Sequence, residues 1–491
     1  MERFNLLNKI FGNSSNSGFR PQISFTMKTK ILFALLITSG LTGCEKFLDQ
    51  KPISGLVQEN FYRNTEEVET GVIACYDGLQ KVYDIEFKLT EIRADNTSGV
   101  SLEGDWGAIK FFRDTPSNFF TLDFWQRSYN TIARCNLVLQ YLTNVSDPVK
   151  RANFEGEVKF IRSLMYFNMV RLYGDVPLIM SSIDYNDTDK FTRIAQAEVY
   201  NQIKTDLSTS VNLLPPTWTS AQGTARATKG AAQALLGKVY ITLKEWDNAR
   251  LQFEPILGAN LKGSTYQLNP SYAAIFSTST EMSKEIIFGV RYKAGSNGEG
   301  NSFSYEYTNN GDARNVKASA AYKALFDATD VRKASTYVDA TGLAAKFLDP
   351  SAPQRDAGND FPVIRFADVL LLYAEALNEL NTAPSTVTLA PLNEVRKRAN
   401  VLEYTPIQLS TKESARDAIY KERQLEFGFE NQRWYDLLRM DRTKAKAILN
   451  AYLAATGNAG ITVPDFRFVF PIPQTEIDLS SGKLTPNKDY N

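Results

Sequence analysis

Leu236-Gly237-Lys238-Val239-Tyr240, followed by Ala249 and Phe253, is the stretch that decides the architecture of this 491-residue chain. It matches the L-G-x2-Y…A-x3-F spacing of a tetratricopeptide unit, with Lys244-Glu245-Trp246-Asp247 as the turn. The small residues let two antiparallel helices approach closely, and Tyr240 and Phe253 fill the space between them. One such unit cannot bury its own face, so further helix pairs must stack on it. In the helix near 362–380, Val369, Leu372, Tyr373, Ala376 and Leu380 form one stripe, and Leu370 and Leu371 widen it until the first turns read as fully buried. Leu392-Asn-Glu-Val-Arg-Lys-Arg-Ala399 is its predicted partner. A third long apolar element ends Phe160-Ile-Arg-Ser-Leu-Met-Tyr-Phe-Asn-Met-Val-Arg-Leu-Tyr173, closed by Gly174 with Pro177 beyond it.

Working outward, apolar periodicity predicts helices near 65–83, 121–143, 149–173, 195–214, 226–243, 246–257, 362–380, 386–399, 411–428 and 431–453. Between them lie Gly/Ser/Asn/Asp-rich stretches at 95–118, 181–191, 215–225, 258–284, 293–317 and 336–360, too long to be mere turns. Long loops in a compact domain commonly carry function. The expected fold is mostly α: tetratricopeptide-like helical repeats with a loop-rich irregular half and little β.

Composition removes several chemistries. The chain has no histidine, which excludes Ser-His-Asp and Cys-His nucleophiles, HExxH zinc sites and most transition-metal sites. Paired carboxylates survive that exclusion and could still hydrolyse glycosides. With 23 Tyr, 30 Phe and 5 Trp, the chain favours packing and stacking over titration.

Localisation follows from Met27-Lys-Thr-Lys-Ile-Leu-Phe-Ala-Leu-Leu-Ile-Thr-Ser-Gly-Leu-Thr-Gly-Cys44. Lys28 and Lys30 make a basic start, Ile31 to Leu41 an apolar core, and Leu41-Thr42-Gly43 place small residues before a cysteine. The apolar run is shorter than the roughly 20 residues a spanning helix needs. The pattern reads as a lipoprotein signal with Cys44 as the acylated residue, and two or more acyl chains give stable anchoring. Residues 1–43 are therefore an N-terminal extension plus signal peptide, and 44–491 a single domain. Without 1–43 the charge is 50 basic against 54 acidic residues, a balance of −4 that offers no footprint for nucleic acid. Cys75 and Cys135 then remain, each on an expected helix, and spacing leaves open whether they are free thiols or one bridge.

Several blocks in order resemble one known family. They are Cys44-Glu-Lys-Phe-Leu-Asp-Gln-Lys-Pro52, Met165-Tyr-Phe-Asn-Met-Val-Arg-Leu-Tyr-Gly-Asp-Val-Pro-Leu178, Arg226-Ala-Thr-Lys-Gly-Ala-Ala-Gln-Ala-Leu-Leu236, Ile364-Arg-Phe-Ala-Asp-Val-Leu-Leu-Leu-Tyr-Ala-Glu-Ala376, Ile419-Tyr-Lys-Glu-Arg-Gln-Leu-Glu-Phe427, Arg433-Trp-Tyr-Asp-Leu-Leu-Arg439 and Phe470-Pro-Ile-Pro-Gln-Thr-Glu-Ile477. Their succession resembles the SusD/RagB family of outer-membrane nutrient-binding lipoproteins. The resemblance implies a lipid-anchored protein on the outer face of the outer membrane, acting as a lid over a TonB-dependent (SusC-like) β-barrel transporter. It implies binding of oligosaccharides, or in some branches peptides, and delivery to the barrel, with no catalysis and no cofactor. A surface glycoside hydrolase is the reading from a different class.

A sugar site needs flat rings against pyranose faces, with polar groups for the hydroxyls. Two loops offer that mixture. Ser101-Leu-Glu-Gly-Asp105-Trp106-Gly107 sets a Trp between Asp and Gly, where it is hard to bury completely. In Tyr292-Lys-Ala-Gly-Ser-Asn-Gly-Glu-Gly-Asn301-Ser-Phe-Ser-Tyr305-Glu-Tyr307-Thr-Asn-Asn310, alternation puts Phe303, Tyr305 and Tyr307 on one side if the segment is extended. Asp105, Trp106, Tyr292, Tyr305 and Tyr307 are the ligand-binding candidates. Glu422, Arg423, Glu426, Arg433, Asp436 and Arg439 read as a structural ion-pair network, with i, i+3 pairs such as Arg423 to Glu426 and Asp436 to Arg439. Asp184-Tyr-Asn-Asp-Thr-Asp189 opens like a calcium loop, but Asp189 and Ala195 stand where Gly and Glu are required, so it reads as a solvated turn. Glu103 and Asp105, two apart in a loop, fix no separation for a hydrolase pair.

Overall fold

Seven of the longer helices begin where a short polar side chain satisfies a free N–H group. The computed structural model describes residues 61–98, 103–183, 187–219, 225–295, 297–308, 316–350, 352 and 355–490, and Tyr62–Asn491 forms one compact unit. Cys44, the signal segment and Asp184–Asn186 of the solvated turn lie outside the described residues. Helices of five residues or more are numbered α1 Thr65–Thr90, α2 Gly104–Lys110, α3 Phe119–Tyr141, α4 Pro148–Tyr173, α5 Gln196–Leu213, α6 Lys229–Thr242, α7 Trp246–Leu257, α8 Phe303–Tyr307, α9 Phe366–Leu380, α10 Thr386–Arg398, α11 Lys412–Glu426, α12 Arg433–Arg439, α13 Arg442–Ala455 and α14 Gln474–Leu479. The strands are β1 Thr97–Ser98, β2 Ile286–Val290, β3 Lys317–Ala318 and β4 Phe361–Arg365. Asn64, Asn118, Asp147, Thr228 and Asp441 cap α1, α3, α4, α6 and α13, and Ser385 and Thr411 close capping boxes on α10 and α11.

The helices stack as expected. α1 packs on α3, α3 on α4, and α4 through α7 follow pairwise, while α9 packs against α7, α10 and α11. Gly237 shows why the α6–α7 pair needs its glycine: a Cβ there would lie 2.2 Å from the fully buried Phe253 ring. Gly174 ends α4 at φ +78°, its N–H bonded to the Val170 carbonyl. Cys75 and Cys135 are free and buried, on α1 and α3. Two short antiparallel pairs, β1–β3 and β2–β4, complete the described structure, which is mostly helical with little strand.

Three expectations need correction. The segment 362–365 is strand, not helix, because Pro362 and its neighbours pair with buried β2 before α9 begins. The helix expected over 431–453 is two, since Met440 is extended and Asp441 restarts the chain as a cap. Arg423 turns away from Glu426 and binds Asp368 at 2.7 Å and Asp436 at 3.0 Å, while Arg439 meets Asp436 at 2.8 Å and Arg433 meets Asp95 at 2.7 Å.

Glu426 instead joins a deeper cluster. It contacts Arg365 at 2.9 Å, Arg398 at 2.5 Å and Arg332 at 3.1 Å. Arg365 also meets Glu285 and Glu430, Arg332 meets Asp330 and Glu422, Arg396 meets Glu422, and Lys346 meets Glu430. Five cations thus face five carboxylates, all buried. Burial pushes the Glu426 carboxyl up, but Arg398, Arg365 and Arg332 outweigh it and hold it well below the usual range. Breaking one member of such a cluster leaves its partners buried and unpaired. Glu426→Gln is expected to cost about 3–5 kcal/mol in urea denaturation, whereas Lys444→Ala, at an exposed pair, shifts the midpoint by no more than about 0.5 kcal/mol.

Candidate functional site

The last turns of α1 bring the two loops singled out in the sequence together. Phe87, fully buried there, packs its ring 6.0 Å from Trp106 of α2 and 5.0 Å from Tyr307 of α8. The segment carrying Phe303, Tyr305 and Tyr307 is helical, so these rings do not share one side. Phe303 and Tyr307, four apart, face inward with Phe347 and Phe361, and Tyr305 points the other way and stays half-buried.

Asp84 fixes α8 by accepting hydrogen bonds from Ser302 N at 2.9 Å and Ser302 Oγ at 2.5 Å. Asn301 adds a second hold, accepting from Phe303 N and donating to the Asn359 carbonyl. Tyr292 lies in the same wall. It is buried, and its hydroxyl donates to the Gln80 carbonyl at 2.7 Å. Tyr292 and Tyr307 therefore have no ring face to offer a ligand: both are core residues, and the expectation that they line a binding surface is corrected on grounds of burial.

The loop expected around Trp106 contains the short helix α2. Asp105 serves the fold directly, accepting from Asn118 Nδ2 at 3.2 Å and Phe119 N at 3.1 Å, where it neutralises the N-terminus of α3. Glu103 is exposed. Trp106 is half-buried and packs edge-on against Phe120 at 5.1 Å. Beside it Phe119 is 56% exposed, an unusual position for a ring in a helix whose other aromatics are covered. Phe119 and Trp106 both pack on Phe120, and Tyr305 is carried by α8, whose inner ring Tyr307 shares Phe87 with Trp106; these three partly exposed rings near the end of α1 are the candidates for one aromatic ledge.

Charged groups surround these rings. Arg355 lies over the Tyr305 ring at 4.5 Å and pairs with Glu306 at 2.9 Å. Lys88 sits among Phe87, Phe120 and Trp106, its ammonium 5.2, 5.2 and 5.6 Å from their centroids. Burial lowers the Lys88 pKa below the usual lysine range, opposed by the charges of Asp84 and Glu306. Among the described residues no cluster of three or more Cys, Asp or Glu is arranged to hold a metal. Sequence reasoning missed Phe119, Lys88 and Arg355. Phe119 had a signal, because it stands just after the Asn118 cap and outside the buried stripe of α3.

Comparison with known proteins gives the family and the fold of the chain. The SusD family model matches residues 301–490, and the family described as starch-binding associating with outer membrane matches residues 46–241. The chain belongs to the SusD family. The SusD-like protein P2 of Formosa agariphila is 26% identical over 94% of this chain and 100% of that protein. A SusD-like protein of Bacteroides ovatus is 24% identical over 87% of this chain and 85% of its own length. Among solved structures, a laminarin binding SusD-like protein superposes with TM-score 0.73 at 24% identity, over 87% of this chain and 100% of that one. Surface glycan-binding protein A of Bacteroides thetaiotaomicron in complex with laminarihexaose gives 0.73 at 23%, over 86% and 99%. These likenesses establish the SusD fold for the chain.

The capping role of Asp105 has a measurable consequence. Asp105→Ala removes the acceptor at the α3 N-terminus and is expected to cost about 1 kcal/mol in chemical denaturation, with a change in Trp106 fluorescence.

Proposed function

We propose that this protein is a cell-surface lipoprotein of the outer membrane that binds oligosaccharides on the Phe119–Trp106–Tyr305 ledge and delivers them, without catalysis, to a TonB-dependent β-barrel transporter. The observation that carries the reading is that Phe119, Trp106 and Tyr305 each keep ring surface in water near the end of α1. Rings left facing water beside ammonium and guanidinium groups suit the apolar faces and hydroxyls of sugar units. Proteins of the same fold include one that binds laminarin and one solved with laminarihexaose, which supports a glycan over a peptide.

The carboxylates nearest the rings favour binding over hydrolysis. Asp84 is engaged by Ser302, Asp105 by the α3 terminus, Asp123 by Arg127 at 2.6 Å and Glu306 by Arg355. Each of these is held as a structural partner; Glu103 is exposed, but Asp105, the other half of the pair considered in the sequence, is engaged by the α3 terminus. A transport lid must release its cargo, so the expected dissociation constant is about micromolar to millimolar, or roughly −8 to −4 kcal/mol.

Anchoring rests on the Lys28-to-Cys44 signal, with 44–491 as the working domain. Palmitate labelling of expressing cells should mark the wild type and not Cys44→Ser; an unlabelled wild type removes the anchor. For the site, titration calorimetry against laminari-, manno-, xylo- and galacturono-oligosaccharides should find binding that Phe119→Ala and Tyr305→Ala each weaken about tenfold, with thermal unfolding little changed. Unaltered affinity in both variants places the site elsewhere, and new reducing ends on incubation overturn the non-catalytic reading.

A further inference from the structure

Lys88 is bonded differently from the other deeply buried lysines of this fold. Among the described residues three lysines are buried: Lys88, Lys110 and Lys346. Lys110 Nζ donates to the carbonyls of Ala94 at 2.7 Å and Thr97 at 2.5 Å. Lys346 Nζ donates to Glu430 at 2.6 Å and to the Glu426 carbonyl at 3.1 Å. Lys88, 8% exposed, has no hydrogen-bond acceptor among the described residues and is surrounded by three rings instead. Rings attract a cation but accept no conventional hydrogen bond, so among the described residues the N–H groups of this ammonium meet no protein acceptor and are left to solvent or a ligand.

The rest of the ledge has the same bias. Arg355 spends Nη1 on Glu306 and keeps a half-exposed guanidinium whose other N–H groups meet no described acceptor. Trp106 Nε1–H likewise finds none among the described residues. The acidic groups near Lys88, which are Asp84, Glu306 and Asp123, are each bonded to protein donors, as is Asp105 beside Trp106. Glu103, exposed at the start of α2, is an acid there without a described partner, yet donors and cations still outnumber free acceptors at this surface, and its deepest donor is an ammonium set among three rings. A ligand that corrects this imbalance brings anionic oxygen, because charge-assisted hydrogen bonds are the strong ones and gain most where water is excluded.

Taking the ledge as the glycan site, we infer that its ligand is an acidic oligosaccharide whose carboxylate or sulfate ester pairs with Lys88, with Arg355 as the second cation. Lys88 is the residue that sets the class of sugar, and the rings set its placement.

The test uses full-length protein in detergent and calorimetry with length-matched panels: oligogalacturonates, alginate oligosaccharides and sulfated galactan oligosaccharides against neutral laminari- and manno-oligosaccharides. At least one acidic series should bind tenfold or more tightly than the neutral ones, and that binding should weaken as salt rises from 50 to 500 mM. Lys88→Met, which keeps the apolar stem between the rings, should abolish the preference and the salt dependence, and Lys88→Arg should restore part of both. Neutral sugars binding as well as acidic ones, with no salt dependence in the wild type, overturns the inference and leaves the ledge reading intact. Binding by no member of either panel overturns the ledge reading with it. The wild-type salt titration decides the matter even where Lys88→Met folds poorly.

Discussion

Everything in this fold is referred to one buried carboxylate, Glu426, which three arginines from three separate parts of the chain reach at once. Arg332 comes from the loop-rich half, Arg365 from the end of β4 and Arg398 from the last turn of α10. Taking so many charges out of water costs heavily, and the mutual attraction repays it only when the geometry is right. Such a cluster therefore contributes a fixed arrangement more than net stability. A second buried set, in which Asp368 binds both Lys238 and Arg423, ties α6, α9 and α11 together in the same way, and those two cations hold Asp368 down to about 2 against the upward push of burial.

From this clamp a line of contacts runs to the ledge. Arg365 closes β4, whose Phe361 packs on Phe347 and Phe303. Just before β4, Asp360 accepts from Tyr292 N and Asn359 accepts from Asn301. Phe303 and Tyr307 carry the packing to Phe87, and Phe87 supports Trp106. The rings that reach solvent at the end of this line are held by rings that do not. A rigid support of this kind suits a site whose own loops must differ in order to read different ligands.

The helical half was legible in the sequence, because helix pairs announce themselves through period, caps and breakers. The Leu236–Phe253 unit, the Gly174 stop and the α9–α10 pair all stand where spacing put them. The charged residues of α11 and α12 were legible as a network, but their pairing was not, since Arg423 and Glu426 choose partners from distant segments. The site was half legible. Composition singled out two loops that meet at the end of α1, yet whether Tyr305 or Tyr307 faces outward depends on a five-residue helix that alternation could not reveal. Asp105 shows the same limit: an acidic residue beside a Trp reads as a ligand contact until a distant helix start is found to need it. Lys88 was hidden entirely, because its environment is made of residues far apart in the chain.

The most direct test of the account is hydroxyl-radical footprinting of the protein with and without a saturating oligosaccharide that binds it. The account predicts that Phe119, Trp106 and Tyr305 lose oxidation together on binding, while Tyr240 and Tyr373 on the repeat helices are unchanged. Protection confined to the repeat helices, with the three ledge rings oxidised as before, would contradict it.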